Sequence, residues 1–594
     1  MKKTAFFLLF IFSFFVHSFA EGKGYQSCAP KEVCGFIPGR KAISESLSQN
    51  RLPKLKVERK IEHSDLVVSA LLRSAEDALM KGDESSAIAI AKQAILFSSK
   101  SPQPHFFLAH LYRFSNKESI LRTLGEYATA IRLSINSFWL LTSSIGIIGL
   151  ALFITFHLCL ITFLLYCFIH YMPLWIHFIK ERMPAAIDNS SILLVMVFFL
   201  CALIFILPPF WFLFIGLFLF WFFYQPREKS VAIALCAGLL FFSFLIKPLF
   251  ILLSAKQFYL LDQMVANQQG DFIWSAPSFD PAEKDWKADF IEAAYKMQEN
   301  DLISSELLYK RALLKNKEAD TKRVFNNLGN IAFYRDNLKD AAGYYQKAID
   351  QDPQYVLAHY NMGQVDNEML AFEEGQSKYI EAKKMDQGLT EYYAQSAATY
   401  PNHPVMEERF TPLDLWKQLF SLYWNTNNKE DNDFGRFFVG AIPFMGMIML
   451  LLLFGGGLIY ACLKLKKYVS GEFCPICRKA ICLRCRESFT NYNICSDCGT
   501  DMITGTAKKQ EEIPRRMTPF YILPGGYQMV SQKPIHALCL LAPFYFLVTL
   551  MAVGDVFLTS AHWHLSIANS PLLPIGIVFL YGVYLLDLYL RRGR

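Results

Sequence analysis

Cysteine is missing from the whole polar stretch 256–437, although the 594-residue chain carries 14 of them. Also missing are an HExxH helix, a phosphate-binding glycine loop, a Ser/His/Asp set and a convergent carboxylate pair. The usual hydrolytic and phosphoryl-transfer chemistries therefore have no residues to run on, and no catalytic site is expected. No histidine follows any Cys-x-x-Cys, which argues against haem attachment. Charge of one sign is scarce: 59 Lys and Arg against 52 Asp and Glu leave a net +7. That excess is too small and too scattered for a nucleic-acid partner, and most of it flanks apolar runs, where membrane orientation explains it.

Apolar residues are abundant. They make up 53% of the chain, with 15% aromatic, and they are gathered into long runs that read as membrane helices. Residues 1–20 read as a signal peptide: Lys2 and Lys3 precede an apolar stretch from Ala5 to Val16, and Ser18-Phe19-Ala20 supplies a small-x-small cleavage site. An uncleaved first anchor is the alternative. Residues 21–135 follow as a periplasmic region, 136–255 as about four transmembrane helices, and 438–463 as one more. Residues 521–594 read as a membrane hairpin. The pair Pro208-Pro209 splits one apolar block, so 191–224 is either a hairpin of two short spans or one kinked helix. Placing Lys180/Arg182, Arg227/Lys229, Lys464–Lys467, Lys533 and the terminal arginines on one side satisfies the positive-inside rule with that block as a hairpin. Both polar domains then face the periplasm of a bacterial inner membrane, and the cysteine-rich segment faces the cytoplasm.

The polar region 256–437 repeats with a period near 34 residues. Phe325, Leu328-Gly329, Ala341, Tyr345, Ala348 and Pro353 fit the tetratricopeptide signature. Met362-Gly363, Gly375, Tyr379 and Ala382 repeat it, and Ala293, Ser305, Tyr309 and Ala312 form a weaker earlier copy. One related unit stands in the N-terminal region, with Ala75, Gly82, Ala87, Ala91 and Ala94 before Pro102. A helix pair of this kind cannot bury its apolar face alone, so stacking is expected. The candidate partner-binding groove comprises Asn326, Asn327, Asn330 and Tyr360 on the first helices of the repeats, positions that can equally be ordinary solvated ones. The region is acidic, with roughly twenty Lys and Arg against about thirty Asp and Glu, which favours a basic partner. Residues 412–424 read as a short amphipathic helix, either interfacial or capping the stack.

Six cysteines crowd residues 464–520: Cys474, Cys477, Cys482, Cys485, Cys495 and Cys498. Each Cys-x-x-Cys turn can offer two thiolates to one metal, and the outer pairs stand 17 residues apart, as in zinc ribbons. Six thiols without a nearby histidine cannot fill two separate four-ligand sites. Cys482 and Cys485 are spare, share a binuclear centre, or replace an outer pair. A closed four-thiolate zinc has no position for water and reads as structural.

Together these features define an all-α membrane protein with transmembrane helices, tetratricopeptide-like helical-repeat domains and a small zinc-ribbon-like module. The segments Cys474-Pro-Ile-Cys477, Cys482-Leu-Arg-Cys485-Arg486, Cys495-Ser-Asp-Cys498 and Leu523-Pro524-Gly525-Gly526 carry a further likeness. The chain resembles deltaproteobacterial tetratricopeptide-repeat membrane proteins that end in a CxxC-rich, zinc-finger-like segment and a membrane hairpin. That group has no assigned activity, so the resemblance implies a scaffold role. The expected function is a membrane-anchored adaptor that binds protein partners at the repeat groove and touches the lipid bilayer. A transmembrane signalling protein is the alternative. A transporter or glycan-processing enzyme would need ionisable groups within the spans, and only His157, His170, Lys247, Asp555 and Asp587 are seen there.

Overall fold

The computed structural model describes residues 63–114, 120–180, 188–270, 277–279, 285–316, 321–425, 471–474, 480–482, 486–489, 492–504, 520–531, 533–559 and 576–585. The expected signal peptide (1–20), the segment up to residue 62 and the expected span 438–463 lie outside them. The architecture is all-α, with helical-repeat domains, helices fit to cross a bilayer and a small β-hairpin module at the cysteines. The chain divides into two compact units. One joins the helices up to Ser137 with Tyr259–Leu415, and the other joins Phe138–Phe258 with the chain from Trp416 onward.

The N-terminal helices are α1 (Asp65–Met80), α2 (Glu84–Phe97), α3 (Gln103–Phe114) and α4 (Ile120–Asn136). Ala75, Ala87, Ala91 and Ala94 are wholly buried between α1, α2 and α3, because only small side chains allow so close a helix approach. A second pair, α3 and α4, follows the expected single unit. Its outer face is unusual: Ile120, Leu121, Leu124, Ile131 and Ile135 on α4 are all more than half exposed.

The apolar block contains α5 (Phe138–Lys180), α6 (Asn189–Ile206), α7 (Pro209–Leu219) and α8 (Pro226–Ser254). The Pro208-Pro209 pair does break the helix, with Pro209 opening α7. The 11 residues of α7 rise only about 16 Å, half the roughly 30 Å of a hydrocarbon core. Among the described residues three helices are long and apolar enough to cross a membrane: Phe138–Lys180, Pro226–Gln257 and Pro534–Val553.

The repeat region begins with α9 (Tyr259–Gln269) and continues as three helix pairs: α10 (Trp286–Gln298) with α11 (Leu302–Lys315), α12 (Lys322–Tyr334) with α13 (Leu338–Gln351), and α14 (Val356–Glu368) with α15 (Phe372–Met385). α16 (Gln387–Thr399) and α17 (Pro412–Asn425) follow. The signature residues pack as the period predicts. Tyr309 and Tyr345 are fully buried, as are Ala312, Ala348 and Ala382 in one column and Ser305 and Ala341 in another. Gly329 leaves room for the Tyr345 ring, since a Cβ there would stand 2.5 Å from it.

Four turns, between α1 and α2, α10 and α11, α12 and α13, and α14 and α15, are built in the same way. One residue enters the left-handed region: Gly82 (φ 81°), Asn300 (65°), Asp336 (60°) and Leu370 (63°). In the first, Gly82 N donates to Leu79 O at 2.9 Å and Asp83 N to Ala78 O at 3.0 Å, and the same two bonds recur in the other three. They satisfy the last carbonyls of the first helix. Asp83, Asp301 and Asn337 then cap the second helix, accepting from Ser86, Ser304 and Asp340 N. The fourth turn departs from this chemistry, with Leu370 at the left-handed position and Ala371 at the cap. Leu370 is 75% exposed, so its side chain repays little of the roughly 1–2 kcal/mol that conformation costs an L-residue. Leu370→Gly is expected to raise the stability of the repeat region by about 0.5–1 kcal/mol, after allowing for the greater freedom of glycine in the unfolded chain. Urea unfolding of the purified chain measures it, and an unchanged or lower midpoint would refute it.

The last elements are two antiparallel hairpins, β1 (Gly471–Phe473) with β2 (Ala480–Cys482) and β3 (Arg486–Phe489) with β4 (Tyr492–Cys495), followed by α18 (Ser496–Ile503). After them come α19 (Gly526–Val530), α20 (Pro534–Thr559) and a helix over Gly576–Leu585. α5 packs against α8 and α20 around Leu160, Phe163, Leu239 and Leu541. Polar side chains bridge these apolar helices: Thr155 and Thr549 hydroxyls meet at 3.0 Å, and Thr162 and Tyr545 at 2.9 Å. Among the described residues of this unit one carboxylate is buried. Glu228 closes a capping box at the start of α8, accepting from Gln225 N at 2.9 Å and from the Tyr166 and Tyr171 hydroxyls.

Candidate functional site: a filled groove and a thiolate cluster

The asparagines of α12 and α14 share one face and bond to a later part of the chain. Asn326, Asn327 and Asn330 are wholly buried, and Tyr360 is 2% exposed. What covers them is the chain itself: residues 403–411, between α16 and α17, run along this face past a bend at Val405. Asn361 holds Met406 by both main-chain groups, donating Nδ2 to its carbonyl at 2.8 Å and accepting its N–H on Oδ1 at 2.8 Å. Asn327 does the same to Glu408, at 3.1 and 2.8 Å. Asn326 and Asn330 add donors to the Met406 carbonyl at 3.2 and 2.9 Å. Phe410 N donates to Asn267 Oδ1 on α9 at 3.1 Å. Residues 406, 408 and 410 alternate, as the two-residue period of extended chain requires when one edge faces the asparagines.

Tyrosines fix this row of amides. Tyr345 OH donates to Asn330 Oδ1 at 2.6 Å, and Asn327 Nδ2 donates to Tyr309 OH at 3.0 Å. Asn361 Nδ2 also donates to Asn326 Oδ1 at 2.9 Å, tying adjacent repeats together. A buried amide left without these partners would cost about 1–3 kcal/mol, so the network is stable only when the extended chain completes it.

Side chains of the segment have their own seats. Arg323 lies against Glu408 (Nε–Oε1 3.4 Å) and against Asp414 (Nη1–Oδ2 2.7 Å), and Tyr355 OH donates to Glu408 Oε2 at 2.7 Å. Burial, then the Glu408 charge, pushes the Tyr355 hydroxyl well above its ordinary range, so it remains a donor. Burial raises the Asp414 pKa, but the hydrogen bonds from Arg323 and Thr411 and the Arg323 charge together outweigh it and hold that carboxyl below the usual range. Phe410 packs on Phe290 and Trp286, with ring centroids at 5.3 and 6.2 Å, and Val405 and Met406 are buried. Asn361 was missed at the sequence level. It stands 34 residues after Asn327, and that repeat spacing was the signal that could have found it.

At the second site, Cys474 follows β1, and Cys495 ends β4 as the N-cap of α18, with its sulfur accepting from Cys498 N at 3.5 Å. The sulfurs of Cys474, Cys495 and Cys498 lie within 4.8 Å of one another, and all three are buried. Four thiolates about 2.3 Å from one ion stand roughly 3.8 Å apart, so the cluster fits a tetrahedral thiolate site. The three come from the outer Cys-x-x-Cys pairs, and the remaining member of those pairs is Cys477. Cys477 and Cys485 lie outside the described residues, and β2 fixes only the main-chain position of Cys482. The module leans on α5 through Phe473, whose ring centroid is 5.0 Å from that of His170.

No known protein-family profile matches the chain. No curated protein matches it. Solved structures similar to it at low identity include the following three. A human IFIT1 dimer with PPP-AAAA is 12% identical, covering 87% of this chain and 99% of that one at a TM-score of 0.15. Naa15/Naa10 bound to HypK-THB is 12% identical, covering 92% and 94% at 0.15. Yeast Tom70 is 11% identical, covering 88% and 97% at 0.14. At TM-scores this low the repeat fold rests on the helix pairs described above and not on these likenesses.

Proposed function

We propose that this chain is a membrane-anchored scaffold that binds protein partners through its tetratricopeptide-like repeats, with a structural zinc module and no reaction of its own. The observation that carries the reading is the asparagine row of α12 and α14, which grips an extended main chain by paired hydrogen bonds. Such a row suits a peptide and offers nothing to a small metabolite. The groove itself differs from the basic partner expected from overall charge, because Arg323 and Tyr355 seat a carboxylate.

Three helices compatible with a bilayer support the anchoring, and so does the exposed apolar face of α4, which ends one residue before the first of them in the chain. We place the protein in a bacterial inner membrane with both repeat domains periplasmic and the cysteine module cytoplasmic, as the flanking charges suggest. Zinc would be held by Cys474, Cys495 and Cys498 with Cys477, where a closed thiolate set supplies folding energy to a module with almost no core. Chemical crosslinking in native membranes followed by affinity capture tests the scaffold reading. The expected result is at least one reproducible partner that is absent when a chain lacking residues 256–425 is captured. Recovery of nothing reproducible would overturn it.

A further inference from the structure

Side chains of the repeats seat Met406, Glu408 and Phe410 as they would a guest: paired amide bonds at alternate residues, a charge seat for one acid and an aromatic seat for one ring. Resting on the scaffold reading, we infer that residues 403–411 are a resident pseudo-ligand. The natural partner presents an extended segment of the same form, aliphatic-x-acid-x-aromatic, and displaces them.

The chemistry of each position follows from its seat. The residue in place of Met406 meets an apolar pocket and needs only its main-chain groups for Asn361, Asn326 and Asn330. Two residues on, a carboxylate is required. A lysine there would bring a second cation against Arg323, whose side chain is only 12% exposed. Two further on, an aromatic ring fills the space beside Phe290 and Trp286. The intervening residues, Glu407 and Arg409, alternate with these three and lie against each other, Arg409 Nη2 standing 3.8 Å from Glu407 Oε2. The resident segment is tethered at both ends, by α16 and α17, so its local concentration is high and it screens out weak ligands. An effective concentration of about 1 mM, for a segment that would fill its seats with an intrinsic affinity of about 10 μM, weakens a competitor about a hundredfold.

The test uses the full chain in detergent and a fluorescent synthetic peptide with the sequence of residues 401–412. A double variant, Glu408→Lys with Phe410→Asp, expels the resident segment. It is expected to bind the peptide about a hundredfold more tightly than the wild type does. Adding Asn361→Ala should lower that binding at least tenfold, and a peptide with Lys in place of its acid should not bind. A folded double variant that fails to bind the peptide overturns the inference. Should the double variant not fold, hydrogen exchange on the wild type decides. Amides of Met406, Glu408 and Phe410 that open while those of Leu328–Ala332 stay protected support a displaceable guest. Amides that open only together with α12 show a permanent strut and overturn it. A partner captured from membranes without such opening leaves the scaffold reading standing and removes this one alone.

Discussion

Cys498→Ser is expected to abolish metal binding and unfold residues 471–504. Strands of three and four residues in two separate hairpins are far below what folds unaided. Among the described residues the hydrophobic cluster of this module is Cys474, Ile481, Ile494, Cys495 and Cys498, so three of these five are the thiols themselves. A small domain of this kind takes its folding energy from the metal, of order 10–16 kcal/mol in zinc-finger peptides, and losing one of four ligands removes most of it. Metal analysis and limited proteolysis should show metal loss with rapid cleavage in Cys498→Ser. Cys482→Ser should keep both metal and resistance, because the converging sulfurs come from the outer pairs. Metal retained in Cys498→Ser, or lost in Cys482→Ser, contradicts the assignment.

The second large effect is expected at the Leu523-Pro524-Gly525-Gly526 turn. A Cβ on Gly526 would stand 1.5 Å from the main-chain oxygen of Phe520. Gly525 has φ +88°, and its Cβ would lie 2.4 Å from Ala537 O. Both obstacles are backbone and cannot rotate away. The turn seats Phe520 and Met529 in the core shared with α5, and Tyr584 OH donates to Tyr521 O at 2.8 Å. Gly526→Ala should therefore lose more than about 3 kcal/mol, the range of severe overpacking. Gly343→Ala is the control: its Cβ meets nothing within 4 Å in the middle of α13, and alanine is the better helix former. Thermal unfolding in detergent should show a sharp drop for the first and no loss for the second. A wild-type midpoint for Gly526→Ala would refute the geometry.

The repeat columns were legible because a 34-residue period and small residues at contact points leave little choice of packing. Ala348, Ala382 and Tyr345 sit where the period puts them. The break at Pro208 was legible for a similar local reason. The state of the groove was not. Asn326, Asn327, Asn330 and Tyr360 were marked as groove residues, but their cover, residues 403–411, lies some 80 positions further along and has no periodicity of its own. A segment seated by side-chain bonds such as these leaves no pattern in sequence beyond the spacing of its holders. Glu228 was hidden for a different reason: next to Pro226 and Arg227 it looks like one charge of an interfacial cluster, and only the fold brings Tyr166 and Tyr171 onto it. Among the cysteines, spacing marked the outer pairs, but three dimensions were needed to bring Cys474 to Cys495 and Cys498.

The asparagine row reads peptide backbone, which every polypeptide shares. Only two side-chain letters are left to discriminate, the acid and the ring, and so short a code recurs by chance throughout any proteome. Selectivity must then come from availability: a segment has to be unfolded, extended and close at hand. Confinement to a bilayer surface would supply that last condition, turning a permissive reader into a local one.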